Sequence, residues 1–261
     1  MRVVVVTSEE PLYMPRYLRR IVAAHAGTID RIVCLPFPAS STRQLREYRG
    51  MYGPRAGAWM GCRYLRGRGL AALPGRLGWR LTGRPHSVRA VGRRHGVPVE
   101  RVPDASAPGA VEYLRGLDPD LLLSVVAGQR LPGPVLDAAA DAVNLHGSLL
   151  PRYRGRATAF WPLFYGDDRT GVTAHRMTER FDAGPILARR EFAIGPTDTV
   201  DSVYRRLAST GAALATELLA DYPDLPDERP NEPSADPAES YHGLPTAAER
   251  REFLARGNAF L

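Results

Sequence analysis

The chain opens on Val3-Val4-Val5-Val6, an unbroken apolar run of the kind buried on both faces of a parallel sheet. Residues 15–24 follow with apolar side chains at 17, 18, 21, 22 and 24, the spacing of a helix face, and Gly27 stands where that helix should stop. Residues 29–35 read as a second strand. The same alternation resumes later: a helix over 87–95, a short strand over 97–99, a helix over 107–116 and a central strand over 121–126 that is apolar but for Ser124. A turn at 129–132, a short helix over 134–140 and a strand over 141–144 come next. Residues 157–165 predict a helix with Phe160, Trp161 and Phe164 on one face, and 171–177 and 186–192 predict two strands. A long helix spans 199–219, with Val203, Leu207, Leu214, Leu218 and Leu219 as its stripe and Thr197 offering an N-cap. Strands alternating with helices predict an α/β fold: a Rossmann-like, mostly parallel twisted sheet with helices on both faces.

Two stretches break this order. Residues 41–96 are rich in Arg, with Glu47 as their one acid, and interleave aromatic and aliphatic residues with frequent Gly. One or two short helices joined by loops are expected over 41–85. Three uses compete for them: a helical excursion packed on the core, a docking surface for an RNA-like acceptor, and a membrane-surface helix. The second break begins near Asp221. Pro at 223, 226, 230, 233 and 237 and acids at 224, 227, 228, 232 and 236 predict a solvated linker without its own core. A terminal helix over 246–256 should follow, capped by Thr246 with Glu249 three residues on. The expected organisation is one catalytic domain over 1–220 and a short Pro-rich, acidic C-terminal tail over 221–261.

Bulk properties narrow the classes. The 261 residues, 44% of them hydrophobic, can bury a substantial core. All 35 basic residues are Arg, and the absence of Lys excludes Schiff-base chemistry and a Walker A lysine. A net charge of +7 permits contact with phosphates or anionic surfaces. The opening apolar run is too short for a signal peptide or a membrane span, so the cytoplasm is the default compartment. Cys34 and Cys62 are too few for a disulfide framework or a metal cluster and are expected to be inert. The loop Thr7-Ser8-Glu9-Glu10-Pro11 lacks G-x-G-x-x-G, against an ordinary dinucleotide site.

The chemistry concentrates after the strand at 141–144. Asn144 and His146 are two residues apart, so an extended chain points both to one side. Pro151 and Gly155 then force a loop, and polar groups at the carboxyl end of a strand are where α/β folds place ligands. Asn144, His146 and Asp182 suit acyl transfer to an amine. The Asn144 amide and a His146 N–H can face a developing oxyanion, and a carboxylate can relay the amine proton while keeping the imidazole charged. No Ser or Cys nucleophile is required. Ser148 reads as a turn hydroxyl, His175 as a structural strand residue, and Arg152, Arg154 and Arg156 as loop and surface residues. Alone, an Asn-x-His is a weak signal.

The order of the whole segment is specific. Asn144-Leu145-His146-Gly147-Ser148-Leu149-Leu150-Pro151-Arg152-Tyr153-Arg154-Gly155-Arg156-Ala157, then Trp161, Gly166, Thr170-Gly171-Val172-Thr173, Met177 and Asp182-Ala183-Gly184-Pro185 resemble the folate-dependent formyltransferases. That family includes methionyl-tRNA formyltransferase, glycinamide ribonucleotide transformylase and amino-sugar N-formyltransferases. The resemblance is strong over 118–195, weaker over 1–36 and 87–117, and absent over 41–85 and after about 220. It implies the formyltransferase fold, a catalytic trio of Asn144, His146 and Asp182, and 10-formyltetrahydrofolate as co-substrate. It also implies donor contacts from Val126, Ala127, Gln129, Arg130 and Leu131 and from Glu179, Arg180 and Phe181, mainly through backbone. Relatives usually carry a hydrophobic residue in place of Arg130. No metal is implied.

The family's tRNA member carries a β-barrel after its catalytic domain, and forty acidic, Pro-rich residues cannot build one. The expected acceptor is therefore the amine of a small molecule, such as an amino sugar or a natural-product intermediate. A methionyl-tRNA formyltransferase lacking the barrel is the alternative, with nucleic acid reached through the Arg-rich block. Donor hydrolysis without an acceptor, and folate binding without turnover, are further readings.

Overall fold

The computed structural model describes residues 1–36, 42–73 and 77–261. Pro74, Gly75 and Arg76 of the basic block lie outside the described residues. A seven-stranded sheet runs in the order β3-β2-β1-β4-β5-β7-β8, from β1 (Val3–Thr7), β2 (Ile29–Cys34), β3 (Val99–Arg101), β4 (Leu121–Val125), β5 (Asp141–His146), β7 (Arg169–Arg176) and β8 (Ile186–Ala193). β1 to β5 pair in parallel, whereas β7 and β8 turn back antiparallel. The mostly parallel α/β sheet expected from the alternation is therefore the observed one. Alternation within β1 feeds two cores: Val3 and Val5 face one cluster, Val4 and Val6 the other. The first lies under α1 (Met14–His25), α4 (Val88–His95), α7 (Phe160–Tyr165) and α8 (Val200–Asp221). The second lies under α5 (Pro108–Gly116) and α6 (Gly133–Leu136).

Several boundaries differ from expectation for local reasons. The short strand begins at Val99, two residues after the predicted start, and runs on to Arg101. α7 starts at Phe160 because Ala157 adopts φ 57, which no right-handed helix can include. α6 is a single turn. α8 is capped by Thr199, not Thr197: the Thr199 hydroxyl accepts from the Ser202 N–H while the Ser202 hydroxyl accepts from the Thr199 N–H.

The basic block departs further. Instead of short helices joined by loops, α2 (Thr42–Ala72) is a 31-residue helical rod kinked at Gly53, followed by the six-residue α3 (Leu77–Thr82). Gly53 takes φ 67, and Pro54, which has no N–H to satisfy, restarts the helix. The carbonyls left open at the kink are answered from the far end of the chain: Arg250 donates to Arg49 O at 3.1 Å and Gly50 O at 2.7 Å. Gly67 seats α2 directly on Pro11. Packing of this kind overrides the poor helix propensity of the glycines.

The tail is exposed over most of 222–237, as its composition predicts, yet it is fastened to the catalytic domain. Arg229 exchanges two backbone hydrogen bonds with Ile186. β9 (Tyr241–His242) pairs in parallel with β6 (Arg154–Gly155). The terminal helix α9 (Ala247–Ala255) has the Thr246–Glu249 capping box and buries Phe253 completely against Phe160, with ring centroids 4.5 Å apart. Phe253→Ala should therefore destabilise the whole fold by about 3–5 kcal/mol in urea unfolding. A loss under about 1 kcal/mol would mean that α9 does not share the domain core.

Candidate active site

β5 delivers Asn144 and His146 to the carboxyl edge of the sheet, and β7 returns antiparallel beside it with His175 in register with Asn144. The loop after β7 then carries Asp182 back toward His146. His146 is 6% exposed, with Nδ1 3.3 Å from Asp182 Oδ1 and Nε2 2.9 Å from the Tyr153 carbonyl oxygen. Both ring nitrogens face acceptors, an arrangement satisfied by the doubly protonated ring. Burial alone would push the His146 pKa down, but the Asp182 charge, the hydrogen bond to its carboxylate and the one to the Tyr153 carbonyl together hold it above the ordinary imidazole value. Burial would likewise push Asp182 up. The opposing charge and hydrogen bond of His146, with His175 adding to them, hold its carboxyl well below the usual carboxylate range.

Asp182 itself is fixed from several directions. Its Oδ2 accepts from the Gly155 N–H at 2.8 Å, and its backbone sits at φ 50. Gly155 is at φ 96, and a side chain there would collide with the His242 carbonyl. Asn231, from the tail, donates to the Asp182 carbonyl at 3.0 Å and to the Gly184 carbonyl at 2.8 Å. Buried Arg154 in turn donates to both the carbonyl and the side-chain oxygen of Asn231. Arg154 is thus an internal strut, not the surface residue expected. Arg152 fits neither description fully: it links Asp167 at 2.9 Å and Asp236 at 2.8 Å, tying the loop to the tail. Arg156 pairs with Glu47 on α2 at 3.3 Å. Ser148 is the turn hydroxyl expected, donating to the Arg152 carbonyl at 2.6 Å.

His175 is more than a strand residue. Its Nδ1 lies 2.8 Å from the Arg176 carbonyl, so Nε2 accepts from Asn144 Nδ2 at 3.0 Å and stands 3.7 Å from Asp182 Oδ1. Sequence reasoning singled out His175 but gave it no part in the site. The signal was pairing register, which a sequence does not print. In this geometry Asn144 keeps one amide hydrogen for a ligand, while both His146 N–H groups are engaged within the protein. The expectation that both residues aim free donors at an oxyanion therefore narrows to Asn144, since the His146 ring nitrogens face Asp182 and the Tyr153 carbonyl.

The expected donor residues fall on two loops that abut. Residues 126–131 follow β4, and a Glu179 carboxylate oxygen would stand 2.8 Å from a Cβ added at Gly133, just beyond that segment. Val126 is 41% and Phe181 54% exposed, so each loop carries an open apolar side chain. Arg130 is exposed. Leu131 instead points into the second core cluster. The Gln129 side chain is occupied, bonding Ala105 N, Pro36 O and Pro103 O, and ties together the loops beyond β2 and β3.

The β1 loop closes the other end of the sheet edge. Glu10 accepts from the N–H groups of Leu12 and Tyr13 at 2.6 and 2.8 Å at the start of α1, and Glu9 from the Val88 N–H at 2.9 Å at the start of α4. Two helix N-termini that attract anions are thus already filled by the chain's own carboxylates. Among the described residues no group of His, Cys, Asp and Glu could hold a metal ion.

The chain is similar in part of its sequence, and in its fold, to known formyltransferases. Residues 97–219 match the family model described as "Formyl transferase". A methionyl-tRNA formyltransferase from Thermosynechococcus vestitus is 39% identical over 153 residues, which are 58% of this chain and 46% of that protein. The chain thus spans about half the length of the curated relatives it matches. Among solved structures, glycinamide ribonucleotide transformylase 1 from Symbiobacterium toebii superposes with a TM-score of 0.56 at 20% identity, covering 85% of this chain and 88% of that one. A sugar 3N-formyltransferase determined with dTDP and 5-N-formyl-THF gives 0.58 at 14% identity, covering 93% and 69%. At these identities the structures share the fold.

Asp182→Asn removes the charge that holds His146 protonated. In a pH titration of the His146 ring followed by NMR, the wild-type midpoint should lie above about 6.5 and the variant's below the wild type's. Equal midpoints would show that the pair is not electrostatically coupled. Stability carries the same sign. A raised His146 stabilises below its unfolded value and loses that contribution as pH rises through the folded one. A depressed Asp182 stabilises above its unfolded value and loses its contribution as pH falls through the folded one.

Proposed function

We propose that the chain is a formyltransferase that moves a formyl group from 10-formyltetrahydrofolate to the amine of a small molecule. The observation that carries this reading is the buried Asp182–His146 pair beside an Asn144 amide with one hydrogen free. A nucleophilic Ser or Cys plays no part in it.

The loops at 126–131 and 179–181 are read as the pterin site. Exposed Val126 and Phe181 offer apolar walls to a flat ring, and the Glu179 carboxylate beside Gly133 offers an acceptor for its N–H groups. The co-substrate supplies the activated formyl carbon; the protein supplies orientation and charge. The Asn144 amide donates to the formyl oxygen as negative charge grows there, and the His146 imidazolium adds a fixed positive field in a water-poor pocket. Asp182 keeps that imidazolium charged. Two of about four acceptor positions on its carboxylate are taken by the His146 Nδ1–H and the Gly155 N–H, which leaves room for the incoming amine or for a water relaying its proton to the donor nitrogen as the bond from that nitrogen to the formyl carbon breaks.

The β1 loop and the tail support a small amine. A ribotide acceptor would bring a phosphate to a sheet edge where Glu9 and Glu10 already occupy the helix N-termini. A tRNA acceptor, named for the curated relatives, would meet a tail whose exposed stretch is acidic beside the site. Cytoplasmic residence fits this reading, and no described helix is long and apolar enough to cross a membrane.

Purified protein, 10-formyltetrahydrofolate and a panel of amino sugars and other amines should yield an acceptor gaining the mass of one formyl group. Asn144→Ala and Asp182→Asn should each lower the rate by about 10²–10⁴-fold with folding intact. Full activity in both variants would refute the mechanism, and formylation of charged initiator tRNA alone would replace the acceptor class. Asn231→Ala, which frees the Asp182 loop, should lower kcat more than it raises KM. An unchanged kcat would reduce Asn231 to a fastening of the tail.

A further inference from the structure

The outer face of α2 and α3 has no partner within the described chain. α2 is held along one side only: Met51 is buried, Gly67 sits on Pro11, and Arg63 pairs with buried Asp201 at 2.6 Å. The opposite side turns outward an apolar line at helical spacing, Ala58, Cys62, Leu65 and Gly69, with Trp59 beside it. α3 adds Leu77 and Leu81 four residues apart. Leu65 is 68% and Leu81 66% exposed, the most open aliphatic side chains of their size among the described residues. Exposed Arg55, Arg66, Arg68 and Arg80 border this strip, and no acid occurs anywhere between residues 48 and 99.

Charge decides what can cover it. A second copy of the chain would bring the same patch against itself, Arg against Arg with no acid to offset them. The partner must therefore be anionic. It must also accept the exposed Leu65, Leu77 and Leu81. A nucleic acid offers phosphates to the arginines but no apolar phase to the leucines, whereas the headgroup region of an anionic bilayer offers both.

We propose that the α2–α3 face docks on the surface of a membrane containing anionic phospholipid, with Leu65, Leu77, Leu81 and Trp59 entering the headgroup boundary and the arginines contacting lipid phosphates. No described helix is long and apolar enough to cross a membrane, so the contact proposed is with its surface. This inference is independent of the formyl-transfer reading and is tested without turnover.

The full chain is sedimented with vesicles of phosphatidylcholine alone and of phosphatidylcholine mixed with phosphatidylglycerol. Binding is expected for the mixed vesicles only, weakening as salt rises. The double substitution Leu65→Glu/Leu81→Glu should lower the partition coefficient by about tenfold or more with an unchanged thermal midpoint, since both side chains are exposed. Arg55→Gln/Arg66→Gln should lower it as well. No binding to the mixed vesicles, or equal binding by the leucine double variant, would overturn the proposal. So would preferential capture of an RNA oligonucleotide or an acidic protein that ignores the leucine substitutions.

Discussion

The ion pair between Asp182 and His146 is the constraint on which the rest of the site depends. Two charges taken out of water are stable only if geometry and further hydrogen bonds compensate the lost hydration. The protein meets that demand in layers. The Tyr153 carbonyl takes the second His146 proton, the Gly155 N–H takes a second carboxylate oxygen, and His175 fills the remaining angle toward Asn144. These partners come from different parts of the chain: Tyr153 and Gly155 from the segment after β5, and His175 from β7. These segments hold one another because the pair at their centre is expensive to leave unmade.

Topology explains why five elements can converge there. The parallel strands β1, β4 and β5 end at one edge, as in any doubly wound sheet. The reversal at β7 brings His175 into register with Asn144 and starts a hairpin whose loop presents Asp182 to the same edge. Gly184 allows that loop to lie against the β7 backbone, since a Cβ there would collide with the Arg176 carbonyl. A segment from the far end of the chain completes the frame: Asn231 binds the loop's carbonyls, and β9 pairs with the strand that carries Gly155.

What the sequence could express follows from these facts. Strands β1, β2, β4, β7 and β8 and helices α1, α5 and α8 declare themselves through apolar period, and the segment around Asn144 does so through its order of residues. Features made by distant contacts stay hidden. The poly-Gly character of 50–69 argues locally against a long helix; Pro11, Arg250 and Asp201, none of them in that segment, stabilise it. Asn231 sits among prolines and acids with nothing local to mark it as buried. Arg154 lies in a run of three arginines, and only the fold separates the internal one from its neighbours. The same limit hid His175, whose place beside Asn144 is a matter of strand register.

Charge is sorted in this protein by depth as well as by sign. The carboxylates of Glu9, Glu10, Asp182 and Asp201 are turned inward, where helix N-termini, imidazoles and guanidinium groups neutralise them. Of the 35 arginines, seven lie on α2 and one on α3. A Lys-free, net positive chain could have spread its charge evenly and been merely soluble. Placing eight of the arginines on α2 and α3, where Glu47 is the one acid, gives that part of the molecule a chemistry that the edge holding Asn144 and His146 does not share. The rod is nevertheless joined to that edge through Arg63–Asp201 and Arg156–Glu47, so whatever meets the rod meets the active-site loops at one remove.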